Sequence, residues 1–160
     1  MPVILDTLAV IEMEKGNFAD ATEKLKKAIK HASENGYNLA YYRKNLAKCY
    51  IATEKKESGS VLHEALVSAL EEGDKFSQIE CYQLLSYFHE KEGNLKLSLS
   101  NYKKFHETEK QFTHDEASRR LKMLKVAAEL DKAKADAEEH KNIAKEKELN
   151  LKEAHHRIKN

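Results

Sequence analysis

Two adjacent histidines, His155 and His156, lie near the end of the chain and are the side chains best suited to chemistry. The first chemistry to test is metal binding, which on one helix requires two histidines separated by three or four residues. None of the eight histidines has another histidine at that spacing. Neighbouring side chains on a helix point about 100° apart, so His155 and His156 cannot hold one ion together. The sequence therefore predicts no metal site.

The same stretch carries a second pattern, in which a glutamate, a histidine–arginine pair and an asparagine are regularly spaced. Its residues are Glu153, His156, Arg157 and Asn160. This pattern resembles the H-box of a branch of bacterial sensor histidine kinases, in which the histidine is phosphorylated. The resemblance implies that His156, and not His155, is the phosphoacceptor.

Glu153 and Asn160 share a helix face with His156, because they precede it by three residues and follow it by four. A carboxylate that accepts one ring N–H makes the other ring nitrogen more nucleophilic, and we expect this of Glu153. Asn160 is expected to orient a water molecule for dephosphorylation.

The resemblance also implies that parts of the enzyme lie elsewhere. In that family an ATP-binding domain follows the H-box, whereas this sequence has no phosphate-binding glycine loop and no cluster of carboxylates for Mg²⁺. ATP, Mg²⁺ and a response regulator are therefore implied for a longer parent kinase. We interpret this sequence as a fragment of it, with no cofactor and no kinase activity of its own.

The helix that carries the H-box is predicted from a repeating spacing of three and four residues. No glycine or proline occurs from Ala117 onward. The a and d positions of the heptad predict the seam of a parallel coiled-coil homodimer, with His140 as a packing residue and His156 outside the seam at an f position. The alternative is a single solvated helix held by ion pairs. The seam consists of Met123, Val126, Leu130, Ala133, Ala137, His140, Ala144, Lys147, Leu151, Ala154 and Ile158.

Composition narrows the class of protein. The chain has 160 residues, with 28 Lys and Arg against 27 Asp and Glu, and this balance argues against nucleic-acid binding. Twenty-two of these charges fall between Thr113 and Asn160, twelve positive and ten negative, around the seam. No apolar run is long enough to cross a membrane, and the first residues lack the basic start and long apolar stretch that are typical of a signal peptide. We expect a cytoplasmic protein, in which Cys49 and Cys81 are buried, reduced thiols; the alternative is a disulfide between them.

Residues ahead of the heptad helix predict an all-α fold, because apolar side chains recur at intervals of three and four and no segment alternates with period two. The predicted breaks are Gly16-Asn17, Asn35-Gly36, Glu57-Ser58-Gly59, Gly73-Asp74 and Gly93-Asn94. They divide the chain into helices at 3–15, 18–34, 38–54, 58–71, 75–92 and 95–112, followed by one from about 115 to the end.

These helices repeat in pairs. A leucine followed by a small residue begins each copy, at Leu8, Leu46 and Leu85, and a second small residue and a groove-filling residue follow at similar offsets. The groove-filling residues are Leu25, Leu62 and Tyr102. The pattern resembles the tetratricopeptide repeat over about residues 3–112, with longer helices than usual and without the usual tryptophan and closing proline. The alternative is an ordinary helical bundle.

Repeats of this kind present a concave groove for a peptide or protein. Candidate groove residues are Tyr41, Tyr42, Lys44 and Tyr82, on the first helices of the second and third repeats. The alternative for these tyrosines is a place in the core between repeats, and the sequence leaves both open.

Three regions follow: a repeat sensor domain over 1–112, a coiled-coil signalling helix over 113–150, and the start of the phosphotransfer helix over 151–160. The preferred interpretation is the sensory and dimerising part of a cytoplasmic histidine kinase. A free-standing helical-repeat adaptor, whose last helix pairs with a different protein, is the alternative.

Overall fold

The computed structural model describes residues 2–159, and every regular element in that range is an α-helix, as the sequence predicts. A long C-terminal helix is present as well. The predicted break between residues 112 and 115 is wrong, because the last helix is continuous from Leu95 and neither glycine nor proline follows Gly93. The helices are α1 (Pro2–Glu14), α2 (Phe18–Glu34), α3 (Ala40–Ala52), α4 (Ser58–Glu71), α5 (Lys75–Lys91) and α6 (Leu95–Lys159).

The chain divides into two compact units, the first ending at Thr113 and the second beginning at His114. In the first unit each of α1 to α4 packs against the helix that follows it, and short turns make these neighbours antiparallel. The start of α6 contacts α5, where the Ser86 hydroxyl donates to the Ser98 carbonyl at 3.1 Å. The second unit is the remainder of α6.

The core of the first unit follows the sequence repeat. Small residues that open each copy, Ala9, Ala47 and Ser86, are all buried and let neighbouring helices approach closely. Leu25 is fully buried because α3 covers it with Leu46, Cys49 and Tyr50. Leu62 is fully buried because α5 covers it with Cys81, Tyr82 and Leu85.

Tyr102 stands at the equivalent place in the third copy and is 51% exposed. The expectation that it fills a groove is therefore wrong. The cause is its position in the last helical segment of the first unit, where no further helix of the unit follows to cover it.

The start of α3 is capped by Asn38 and by a carboxylate at the end of a neighbouring helix. The Asn38 Oδ1 accepts from the backbone N–H of Ala40 at 3.1 Å. Leu39 precedes this helix and has no side-chain acceptor for the free backbone N–H groups. Glu72, directly after α4, accepts hydrogen bonds from the backbone N–H of Leu39 at 2.7 Å and of Ala40 at 3.1 Å. This contact joins the end of α4 to the start of α3.

The C-terminal ends of α1, α3, α4 and α5 share one turn geometry, in which the backbone hydrogen bonds close a Schellman motif. After α1, α4 and α5, a glycine with positive φ makes the turn: Gly16 at 79°, Gly73 at 68° and Gly93 at 75°. After α3, the same hydrogen bonds place Glu54 in this position, with φ 51°. The predicted break at Glu57-Ser58-Gly59 thus lies a few residues earlier, and Gly59 is inside α4.

Glu54→Gly is expected to raise the free energy of unfolding by about 0.5–1 kcal/mol. The left-handed conformation costs a residue with a Cβ more than it costs glycine, and the greater freedom of glycine in the unfolded chain offsets part of the gain. Gly16→Ala is the matched control and should lose about 1 kcal/mol, because alanine is strained at a φ of 79°. No clash adds to this cost, since no other atom lies within 4 Å of a Cβ placed there. Urea unfolding measures both changes, and a destabilised Glu54→Gly would contradict the argument.

Candidate functional site

His156 lies on the exposed surface of α6, within a shallow cleft along one face of the helix of about 420 Å³. The cleft is lined by Leu149, Lys152, Glu153, His156 and Arg157. Glu153 thus shares a face with His156, although among residues described through 158 no hydrogen bond joins the two side chains. Asn160, the last residue of the predicted motif, lies outside the described residues.

The two histidines differ in their contacts. Nδ1 of His155 lies 3.1 Å from the carbonyl oxygen of Leu151, so a protonated Nδ1 of this ring donates to the backbone. Such a bond holds the His155 ring along the helix. The ring of His156 faces the cleft, where an incoming group can reach it.

The seam residues form a second surface of the helix. Its large apolar members, Met123, Val126, Leu130, Leu151 and Ile158, are 53–82% exposed. Leaving this stripe in water forgoes the burial that two paired helices would provide.

Ion pairs within the helix occur as well, which is what the single-helix alternative requires. Arg119 pairs with Glu116 at 3.0 Å, and Lys152 pairs with Glu148 at 2.7 Å. Exposed pairs of this kind contribute only a few tenths of a kcal/mol each. They support the helix and leave its apolar stripe uncovered.

In the first unit, a buried ion pair joins α3 to α5. The Glu80 carboxylate accepts from the ammonium of Lys44 and, at 2.7 Å, from that of Lys48. The Lys44 side chain is almost fully buried, with its ammonium 4.4 Å from the centre of the Tyr41 ring and 5.2 Å from that of Phe76.

Two partly buried carboxyl groups of the first unit, those of Glu80 and Asp6, have pKa values that are shifted in opposite directions. Burial alone would raise the pKa of Glu80, but hydrogen bonds from Lys44 and Lys48 outweigh it and lower the pKa. Burial raises the pKa of Asp6, only partly countered by a hydrogen bond from Asn45 at 3.0 Å and by the charge of Lys44. Glu80 is therefore stabilised as an anion, and Asp6 is not.

The predicted groove residues have different surroundings. Tyr41 is 40% exposed, whereas Tyr42 is buried against Ala28 and Ala32. Tyr82 belongs to the core cluster around Leu62, and Lys44 is held in the buried ion pair. Of the four, only Tyr41 presents a large part of its side chain to solvent.

A larger cavity, missed in the sequence, lies between the C-terminal halves of α3 and α5. Its volume is about 810 Å³, and we call it the α3–α5 cavity. Its wall combines charged and apolar side chains. The charged ones are Lys48, Glu54, Lys55, Lys56, Lys91 and Glu92, and the apolar ones include Ile51, Leu84, Tyr87 and Phe88. The sequence signal was limited to Lys91 in the last turn of α5 and to Lys55 and Lys56 shortly after α3, and lysines are common near helix C-termini.

Both cysteines are buried, free thiols inside the first unit. Burial raises the pKa of Cys81 to about 12, so this thiol stays protonated at neutral pH and is a poor nucleophile. Within residues 2–159, no group of three His, Cys, Asp or Glu side chains could hold a metal ion. No helix in that range is both long and apolar enough to cross a bilayer.

The chain thus offers two candidate sites, the His156 face of α6 and the α3–α5 cavity. Neither a protein-family model, nor a curated protein, nor a solved structure matches this chain.

Proposed function

We propose that this chain is the sensory and dimerising region of a two-component sensor histidine kinase. In this proposal the repeats, which resemble tetratricopeptide repeats, bind a peptide or protein, and α6 pairs with its copy in a homodimer. His156 is the phosphoacceptor, and a response regulator receives the phosphoryl group. The observation that carries the proposal is the placing of His156 and an apolar seam on different faces of one helix.

The separation of the two faces matters because dimerisation and phosphorylation need different surroundings. The seam requires a partner helix, which would exclude water from Met123, Leu130 and Leu151. His156 is at an f position, so a partner docked on the seam leaves its cleft open. An approaching ATP γ-phosphate and a receiver domain can then reach the same imidazole.

The chemistry asked of His156 is phosphoryl transfer. A ring nitrogen forms a bond to the γ-phosphorus of ATP as the bond to the ADP oxygen breaks. Glu153 shares the cleft, and in this proposal it accepts an N–H from the other ring nitrogen.

Signal transmission follows from the weakness of the seam. Three of the seam residues are alanines, Ala133, Ala137 and Ala144, and two are polar, His140 and Lys147. A seam with so little apolar volume has a small free-energy difference between alternative packings. Ligand binding at the repeats needs only a modest difference in affinity to shift that balance.

The phosphoacceptor assignment is tested in the protein isolated from its own cells without acid treatment. We expect mass spectrometry to find phosphate on His156, and His156→Gln to remove it. His155→Gln is the matched control and should keep the phosphate, because only the neighbouring ring is altered. Phosphate on His155, or on neither histidine, would contradict the proposal.

The dimer is tested with seam variants of the chain. Leu130→Glu combined with Leu151→Glu is expected to convert a dimer at micromolar concentration into a monomer, because it puts two charges into the seam of each chain. Leu149→Glu is the control, since Leu149 is 61% exposed and lies at an f position outside the seam. Multi-angle light scattering gives the mass of each variant.

One observation favours the second candidate function, a helical-repeat adaptor whose last helix pairs with a different protein. Leu121 and Leu124 are 56% and 68% exposed and lie outside the seam. An adaptor would give a monomer in light scattering and carry no phosphate on His156.

A further inference from the structure

We infer that the α3–α5 cavity is the ligand site of the first unit, and that its ligand is an acidic peptide segment carrying a large apolar side chain. The inference rests on the proposed function in that it takes the first unit to bind a peptide. It adds the place of binding and the chemistry of the ligand.

The size of the cavity suits a short segment of chain. Its volume of about 810 Å³ lies within the range of protein sites that enclose small ligands. Both long walls come from rigid helices, α3 and α5, which the Lys44–Glu80 ion pair holds together. A site built on such elements is largely formed before the ligand arrives.

The charges of the wall favour an anion. Four lysines face two glutamates, and of these lysines only Lys48 takes part in an ion pair within the described residues, with Glu80. The ammonium of Lys55 lies 4.6 Å from the centre of the Tyr50 ring, and that of Lys91 lies 5.5 Å from the centre of the Tyr87 ring. Both can turn to a carboxylate without breaking a salt bridge.

The spread of these charges favours a peptide over a phosphate. The ammonium groups of Lys48, Lys55 and Lys91 each lie against a different partner, which are Glu80, Tyr50 and Tyr87 respectively. Carboxylates distributed along a segment meet separate lysines instead.

Glutamates at the rim argue against a uniform polyanion such as nucleic acid. Glu54 and Glu92 belong to the same wall as the lysines and would face some of its phosphates. A peptide can place an N–H or an uncharged residue beside these carboxylates.

An apolar patch supplies the anchor for a large side chain. Ile51, Leu84 and Phe88 are partly buried against the core cluster around Leu62, and Tyr87 is 46% exposed beside them. Aromatic side chains of this kind contribute strongly to binding when a ligand covers them.

Backbone strain marks the same place. Glu54 is the only non-glycine residue with positive φ among those described, although the equivalent turns elsewhere use glycine. This places a strained residue in the wall of the cavity, where its carboxylate can accept an N–H from the backbone of the ligand.

The test uses fluorescence anisotropy with a labelled peptide of about eight residues, Glu-Asp-Glu-Leu-Phe-Asp-Glu-Asp. We expect saturable binding that weakens as NaCl is raised. Lys55→Glu combined with Lys91→Glu should weaken it by about tenfold or more, which corresponds to about 1.4 kcal/mol. Lys27→Glu combined with Lys30→Glu makes the same change of charge on the exposed face of α2 and should leave binding unchanged.

Peptide variants keep the test independent of protein folding. Replacing Leu and Phe in the probe by Ala, or its acids by Lys, should each reduce affinity by about tenfold. Equal binding of the lysine peptide, competition by a single-stranded oligonucleotide at equal affinity, or unchanged binding to the Lys55/Lys91 variant would overturn the inference. Binding of an uncharged or basic peptide in this cavity would overturn the inference of an acidic ligand but would leave peptide sensing in place. Phosphorylation of His156 is measured separately, so a failure of this inference is distinguished from a failure of the proposed function.

Discussion

Glu80→Gln is expected to lower the free energy of unfolding of the first unit by about 3 kcal/mol, because it leaves a buried ammonium without its counter-charge. Lys44 is 1% exposed and has Glu80 as its only ion-pair partner among the described residues. The aromatic rings of Tyr41 and Phe76 compensate part of the positive charge. They cannot replace a carboxylate.

The partners of the pair are not equivalent, and this gives an internal control. Lys44→Met keeps an apolar stem in the core and leaves Glu80 paired with Lys48, so its cost should be less than half that of Glu80→Gln. Lys44→Met combined with Glu80→Leu removes both charges and should recover most of the loss. Equal stability of Glu80→Gln and the unaltered chain, measured by urea unfolding, would contradict this account.

The difference in unfolding free energy between Glu80→Gln and the unaltered chain depends on pH because the pKa of Glu80 is lowered. Its stabilising contribution is fully present above the ordinary value of 4.5 and is lost as pH falls through the lower folded value. Asp6 acts in the opposite sense, since its raised pKa gives stability below the ordinary 3.8 that is lost as pH rises through the folded value. The gap between Glu80→Gln and the unaltered chain should therefore narrow in acid.

How much the sequence predicts depends on how local each feature is. Helix periodicity and the glycine turns at Gly16, Gly73 and Gly93 are local, and the bounds of α1 to α5 follow the prediction to within a few residues. The predicted break between residues 112 and 115 is the exception, since α6 is continuous there. Glu54 in a glycine position was not foreseen, because no propensity marks a glutamate as a helix terminator.

The candidate sites show the same limit. His156 and Glu153 are three residues apart on one helix, so their shared face follows from spacing alone. The α3–α5 cavity joins Lys55 to Lys91 and Ile51 to Leu84, pairs brought together only by packing between repeats. The same packing buries Tyr42 and Tyr82, which periodicity could place on a stripe but not inside or outside the core.

Leu62→Ala is expected to cost about 3 kcal/mol and to lower the melting temperature of the first unit by about 10 °C, because it opens a cavity in a fully buried cluster. Tyr102→Ala alters the equivalent position of the third copy and should cost less than about 1 kcal/mol in a monomer. The Tyr102 ring is half exposed and contacts mainly its own helix, with His106 at 4.5 Å between ring centres.

Near-UV circular dichroism follows the tyrosines of the first unit without the large helical signal of α6, and is measured at several protein concentrations. Equal losses for both variants at low concentration would contradict the assignment of the core. A cost for Tyr102→Ala that grows with concentration has a different meaning: a second molecule then covers this face of α6, as α3 covers Leu25 and α5 covers Leu62.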